Sequence, residues 1–230
     1  MSTPTTSRSL LPLLQLSDSA FPTGSFSHSL GLEGLVAAGL VRDSTGLEAA
    51  VAEHLGALAT SDLPALRGAA EACSLQHLVA LDHALAATRL AREQRSASAA
   101  MGRGLLDSAD ALGLDDSRLG AYHQAVRART APGGHAIAYG VVATAMGAPV
   151  RDALHAYAYT GCAAFVAAGQ KLLLLGQRGA QRILFGLHSR ISAAVDTSRH
   201  VDPAKPFAFA PLLEIASMAH ERQTSRMYIS

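Results

Sequence analysis

Apolar residues recur at the three- and four-residue spacing of helices, as at Leu32, Leu35 and Val36, and no run of β-branched residues alternates with period two. Alanine and leucine, the strongest helix formers, dominate nearly the whole chain. The punctuation falls where helix ends belong. Thr45 and Glu48 have the spacing of a capping box opening a run to Ala59. Asp62 and Pro64 open the next helix; Asp115, Asp116 and Ser117 open another, which ends near Pro132-Gly133-Gly134. A helix from His135 stops at Met146-Gly147-Ala148-Pro149, and a last one spans about Phe207 to Arg222 after the Asp202–Pro206 loop. Glycines inside helical runs, such as Gly140, Gly161 and Gly169, suit close helix approach. The pattern predicts an all-α fold: a compact single-domain helical bundle of roughly eight to ten helices. A tail over residues 1–8 is read as disordered, a helical domain as 9–224, and residues 225–230 as a second tail ordered by a partner.

The stretch Ala153 to Leu175 has no acidic residue and approaches the roughly 20 residues that cross a bilayer. It carries His155, Gln170 and Lys171, and small alanines supply most of its apolarity, so it reads as a core helix. The chain is expected to bind no membrane. Its 230 residues fit one domain, and 49% hydrophobic with 16% charged residues is a globular composition. A net charge of +1 and the lack of basic runs interleaved with aromatics predict no nucleic-acid partner. Two distant cysteines, Cys73 and Cys162, and a poor h-region after Ser9 point to a reducing, cytoplasmic setting.

Several chemistries are absent from the pattern. The only lysines are Lys171 and Lys205, and neither follows a Gly-rich loop, so there is no phosphate-cradling P-loop. The ten histidines form no H-x-H or H-E-x-x-H, and none clusters with a cysteine. Ser27-His28-Ser29-Leu30-Gly31 imitates a nucleophile elbow but lacks the first glycine and the preceding strand.

Three segments carry more information. In the first, Leu13 to Glu33, Phe21-Pro22-Thr23-Gly24 has the type I turn order, Ser27 or Ser29 can cap the next helix, and Glu33 can complement its dipole. In the second, Pro132-Gly133-Gly134-His135 starts a small-residue helix; further on, Gln170, Gln177 and Gln181 would share a face if one helix continued through them. A solvated face and a docking surface or hydrated passage are equally open readings of that stripe. The third is the C-terminal run from Ala216 to Ser230, whose Arg226 and Tyr228 are residue types favoured at interfaces. Packing of this tail onto the chain's own body is the alternative.

These segments, in this order, resemble the UreF family of urease accessory proteins. The family pattern is Pro-x-Gly-Gly-aromatic-Ser/Ala-x-Ser-x-Gly-Leu-Glu near the N-terminus, with Ser25 here replacing its second glycine. Gly-His and Lys-Leu-x-x-Leu-Gly-Gln occur in the middle, and Ser-Met-x-His-Glu then Ser-Arg-Leu-Phe-x-Ser at the end, where Met227 and Tyr228 depart conservatively. The resemblance implies a non-enzymatic, dimeric, all-α scaffold that binds UreD (also called UreH) and the GTPase UreG and docks on apo-urease. It implies no tightly bound cofactor, with nickel handled indirectly through the complex. By segment, Phe21, Pro22, Gly24, Ser27, His28, Ser29 and Glu33, with Ser225, Arg226 and Tyr228, would face UreD. His135, Lys171 and Gln177 would serve the dimer, UreG or an internal passage. Other classes remain: a direct nickel chaperone using scattered histidines, or an enzyme whose site assembles from residues such as His28, Glu33 and His135. A GTPase-activating arginine could coexist with scaffolding.

Overall fold

The structure, a computed structural model, describes residues 7–22, 28–221 and 227–228. Gly24, Ser27, Ser225 and Arg226 lie outside the described residues. The described residues form twelve α-helices and no strand: α1 (Ser7–Ser17), α2 (Leu32–Ala37), α3 (Ser44–Thr60), α4 (Asp62–Glu71), α5 (Leu75–Ala87), α6 (Arg92–Ala111), α7 (Ser117–Arg127), α8 (His135–Ala145), α9 (Val150–Leu172), α10 (Gln177–Gly186), α11 (His188–Ser198) and α12 (Pro211–His220). The all-α bundle is as expected from the sequence. Single residues, Ser61 and Leu187, separate α3 from α4 and α10 from α11, which is why the count passes ten.

Helix α8 is the innermost. Every residue from Ala136 to Val142 is buried, and α4, α6, α7 and α9 pack around it. Helix α9 lies beside it and touches α1, α2, α3, α4, α8, α10 and α11. It is the apolar stretch read from the sequence as a core helix; among the described residues no helix is long and apolar enough to cross a membrane. Both helices are rich in alanine, so their neighbours come close. At Gly140 of α8, a Cβ would stand 2.5 Å from the Leu66 carbonyl oxygen of α4. At Gly34 of α2 it would stand 2.6 Å from the Ala216 carbonyl oxygen of α12. Only a missing side chain permits such backbone contact.

Several helix ends differ from the sequence reading. Helix α3 is capped by Asp43, whose side chain accepts from the Gly46 amide at 2.9 Å, so Thr45 already lies inside the helix and makes no capping box with Glu48. A carboxylate both satisfies an orphan amide and complements the helix dipole. Helix α7 is capped by Asp116 as expected, but it ends at Arg127, because Arg129 turns left-handed at φ 59°. The last helix starts at Pro211 rather than Phe207. The Phe207 amide donates to the Thr60 carbonyl at 3.0 Å and its carbonyl accepts the Thr60 hydroxyl at 2.7 Å, so this segment runs along the end of α3 first. Helix α9 stops at Leu172 with Leu174 left-handed at φ 52°, so Gln170, Gln177 and Gln181 do not share one helix.

Two substitutions test the close packing with opposite signs. Gly140→Ala should lower stability by about 1–3 kcal/mol, as overpacking does. Gly56→Ala, where a Cβ would meet nothing within 4 Å in the interior of α3, should raise it by up to ~1 kcal/mol. Urea unfolding midpoints of the two variants against the parent measure both.

Candidate functional site

The first and third sequence segments meet at Glu33. Gly31, left-handed at φ 91°, and Gly34 let α2 lie against the backbone of α12. The Ser29 hydroxyl accepts from the Glu33 amide at 3.4 Å, but the N-cap position of α2 is Gly31, with no side-chain cap bond, so Ser29 does not cap the helix as expected. The Glu33 side chain, however, serves a purpose other than the helix dipole. One oxygen accepts the Met227 amide at 2.7 Å; the other accepts the Tyr228 amide at 3.0 Å and faces His220 Nε2 at 3.0 Å. His220 is fully buried, and its Nδ1 faces the Glu93 carboxylate of α6 at 2.9 Å. Burial works against the Glu33 charge, but the Met227 amide, the His220 ring and the Tyr228 amide outweigh it and hold the carboxyl below its ordinary value. The Lys171 ammonium sits 5.9 Å from the centre of the Tyr228 ring, within cation–π range. Phe21 packs partly buried against the core, whereas Pro22 is exposed.

The second segment is held by another carboxylate. Asp82 of α5 is fully buried and accepts the Gly133 amide at 2.7 Å, the Gly134 amide at 3.0 Å and the Tyr122 hydroxyl at 2.7 Å. Burial and the neighbouring Asp82 push the Tyr122 hydroxyl far above its ordinary value, so it stays a donor. Gly133 needs its permissive backbone, at φ 76°. The Ser98 hydroxyl accepts the His135 amide at 3.1 Å and so completes the start of α8.

Thus anchored, His135 faces a cavity of about 550 Å³. At its side lies Asp62, whose one oxygen accepts Arg89 at 2.8 Å and Tyr157 at 2.9 Å, and whose other accepts Ser61 at 3.0 Å. Burial alone would raise the Asp62 pKa; Arg89, Tyr157 and Ser61 bring it below its ordinary value. His135, Tyr139 and Tyr157 pack ring against ring, with His135 and Tyr157 5.2 Å apart, and His54 stacks on Phe165 at 5.2 Å. Burial pulls His54 and His135 down to about 4, against the opposing pull of Asp62, so both rings are neutral at pH 7.

The structure sorts the expected site residues into three places. Glu33 and Tyr228 share the tail contact, and Lys171 flanks it. His28 and His135 line the cavity with Gln170 and Gln181. Gln177 is exposed at the start of α10, away from the cavity lining. His28, Glu33 and His135 therefore do not assemble a common site, since Glu33 commits both oxygens to the tail and His220. Among the described residues no group of three or more His, Cys, Asp or Glu side chains is arranged to hold a metal ion. Burial pushes the Cys162 thiol up to about 12, which leaves it inert. Sequence reasoning missed Asp82, Glu93 and the Asp62–Arg89–Tyr157 group. Asp82 did leave a trace, as the one acidic residue in the mostly apolar run Leu78–Leu85, where only His83 is also polar.

The UreF family model matches residues 41–188, more than half of the chain. The chain is 39% identical to the urease accessory protein UreF of Paenarthrobacter aurescens (strain TC1), covering 96% of this chain and 97% of the relative. This chain belongs to the UreF family of urease accessory proteins. Other UreF relatives agree over the whole length: that of Arthrobacter sp. (strain FB24) is 36% identical over 96% of each chain. That of Ralstonia pickettii (strain 12J) is 33% identical, covering 98% of this chain and 100% of the relative. UreF is thus a chaperone-type component rather than an enzyme. The three segments that carried the resemblance are those tied down by Glu33 and Asp82, together with the Lys171 region beside the tail.

Asp62→Ala strands the Arg89 guanidinium, only 15% exposed, and should cost about 3–5 kcal/mol, whereas Asp62→Leu combined with Arg89→Met should cost much less. A double-mutant cycle in urea reads the difference. His54 and His135 are lowered from 6.5 to about 4, and unfolding releases them to protonate between those values. Their contribution is therefore complete above about 6.5 and declines as the pH falls toward 4. Melting temperatures across this range should fall less steeply for His135→Phe than for the parent.

Proposed function

We propose that this chain is the urease accessory scaffold that bridges UreD (UreH) and the GTPase UreG during GTP-dependent assembly of the urease nickel centre. It acts in the cytoplasm as a homodimer docked on apo-urease, with nickel passing as cargo and no tightly bound cofactor of its own. Family membership supports this reading. The observation that carries it is the convergence on Glu33 of the N-terminal segment, α12 and the tail residues Met227 and Tyr228. A surface assembled from both ends of the chain, with Met227 63% exposed on it, suits recognition by a protein. UreD takes this side, and the Lys171–Gln177 region serves UreG or the second subunit. The cavity chemistry suits a scaffold as well: the Asp62 oxygens are occupied, and the histidines are neutral.

Co-purification with the cognate UreD and UreG, followed by nickel-dependent activation of apo-urease, tests the reading. The expected result is a stable complex and loss of activation when the chain is omitted. Truncation after Glu221, or Arg226→Glu in the full chain, should abolish UreD capture while the helical circular dichroism is retained. Activation that proceeds unaided would discard the scaffold role.

A further inference from the structure

We propose that the extended segment between α11 and α12 is a plug for the cavity beside α8: its two phenylalanines leave solvent and fill that space when the segment rolls inward. The segment reads Pro206-Phe207-Ala208-Phe209-Ala210-Pro211, with large and small apolar residues alternating between two prolines. Successive side chains of an extended chain face opposite ways. Here the small ones, Ala208 and Ala210, line the cavity. The large ones, Phe207 and Phe209, stand outside at 55% and 80% exposure. This inverts the arrangement that the hydrophobic effect favours, because two aromatic rings lie in water above an apolar space large enough to take them.

One residue holds the rings out. The Phe207 amide donates to the Thr60 carbonyl at 3.0 Å, and the Phe207 carbonyl accepts the Thr60 hydroxyl at 2.7 Å. Both bonds belong to the same residue of the segment, so together they fix which way its side chain points. Once they break, a half-turn of the segment about its own length exchanges its two faces. The prolines at its ends favour extended backbone in the residues before them, so the segment turns without coiling into α12. Ala210, at φ −137° and ψ 66°, is still outside the helical region and places the pivot at the start of α12. Beneath the segment lie Ala57 and Leu58 of α3, Val166 of α9 and Leu213 of α12, around a volume of about 550 Å³. With the rings out, the space beside His135 and Asp62 stays open; with the rings in, it is filled by the chain itself. A protein seated on the outer face would hold the rings out. That such a protein belongs to urease assembly rests on the function proposed above; the roll itself does not.

The chain contains no tryptophan, so Phe209→Trp supplies a single fluorescent reporter in the full-length protein. With both Thr60 bonds intact, the indole should emit at long wavelength and be quenched by acrylamide as an exposed ring. Adding Thr60→Val removes the hydroxyl partner and should move the balance inward by up to about tenfold, the worth of one hydrogen bond. The readout is a blue shift and a severalfold loss of quenching, with the helical circular dichroism unchanged. Phe207→Pro, which deletes the amide donor, should act in the same direction through the other bond. Adding Ala57→Leu, which occupies the cavity from α3, should return the emission and quenching to their exposed values. An indole that stays fully quenchable with both Thr60→Val and Phe207→Pro would overturn the proposal. A blue shift that Ala57→Leu leaves in place would overturn it too, since the ring would then be buried somewhere other than the cavity. The measurement needs no partner, so its failure leaves the proposed function standing.

Discussion

A carboxylate taken out of water costs several kcal/mol unless donors surround it, and this fold is organised around satisfying that demand at Asp62, Asp82 and Glu33. Each recruits donors from distant segments. Asp62 draws in Arg89 and Tyr157, Asp82 draws in Tyr122 and the turn before α8, and Glu33 draws in α12 and the tail. Apolar packing of alanine and leucine tolerates small slides between helices. A carboxylate with fixed donors does not, because a shift of an ångström breaks its bonds. The three acids therefore set the register of a bundle whose small side chains would otherwise define it weakly.

The helical class and the main breaks were legible because composition and punctuation agree over long stretches. The starts of α4 at Asp62 and of α8 at His135 and the Asp116 cap are local features, and local chemistry decides them. The misplaced ends have tertiary causes. Phe207 is held by two hydrogen bonds to Thr60 at the end of α3, and the α9–α10 corner at Leu174 parts glutamines that a continuous helix would align. Asp43 prevailed over Thr45 as a cap, a choice between adjacent candidates that spacing alone does not resolve. The site was legible by segment and not by partner. Glu33, His135, Lys171 and Tyr228 were singled out, but the tie of Glu33 to His220 and that of Gly134, before His135, to Asp82 span 187 and 52 positions and leave no periodic trace.

The cavity beside α8 gains its character from the same acids. His54 and His135 stay uncharged although Asp62 lies close, since burial outweighs its pull, helped at His135 by the Arg89 charge. The interior thus combines tyrosine, neutral imidazole and amide groups with apolar walls. Such a lining offers hydrogen-bonding groups to water, while Asp62 is already engaged by Arg89 and Tyr157.

The backbone contact between Gly34 and Ala216 has a consequence for the order of events in synthesis. Glu33 and His220 are separated by 187 positions, so α2 emerges from the ribosome long before its partner helix exists. At roughly 5–20 residues per second this interval is on the order of 10–40 s. Throughout it the apolar side of α2, with Leu32 and Leu35, lacks the surface it was shaped for. The N-terminal segment is thus the last part of the molecule to find its place, and a nascent chain stalled before α12 would display it to whatever holdase or protease is nearby.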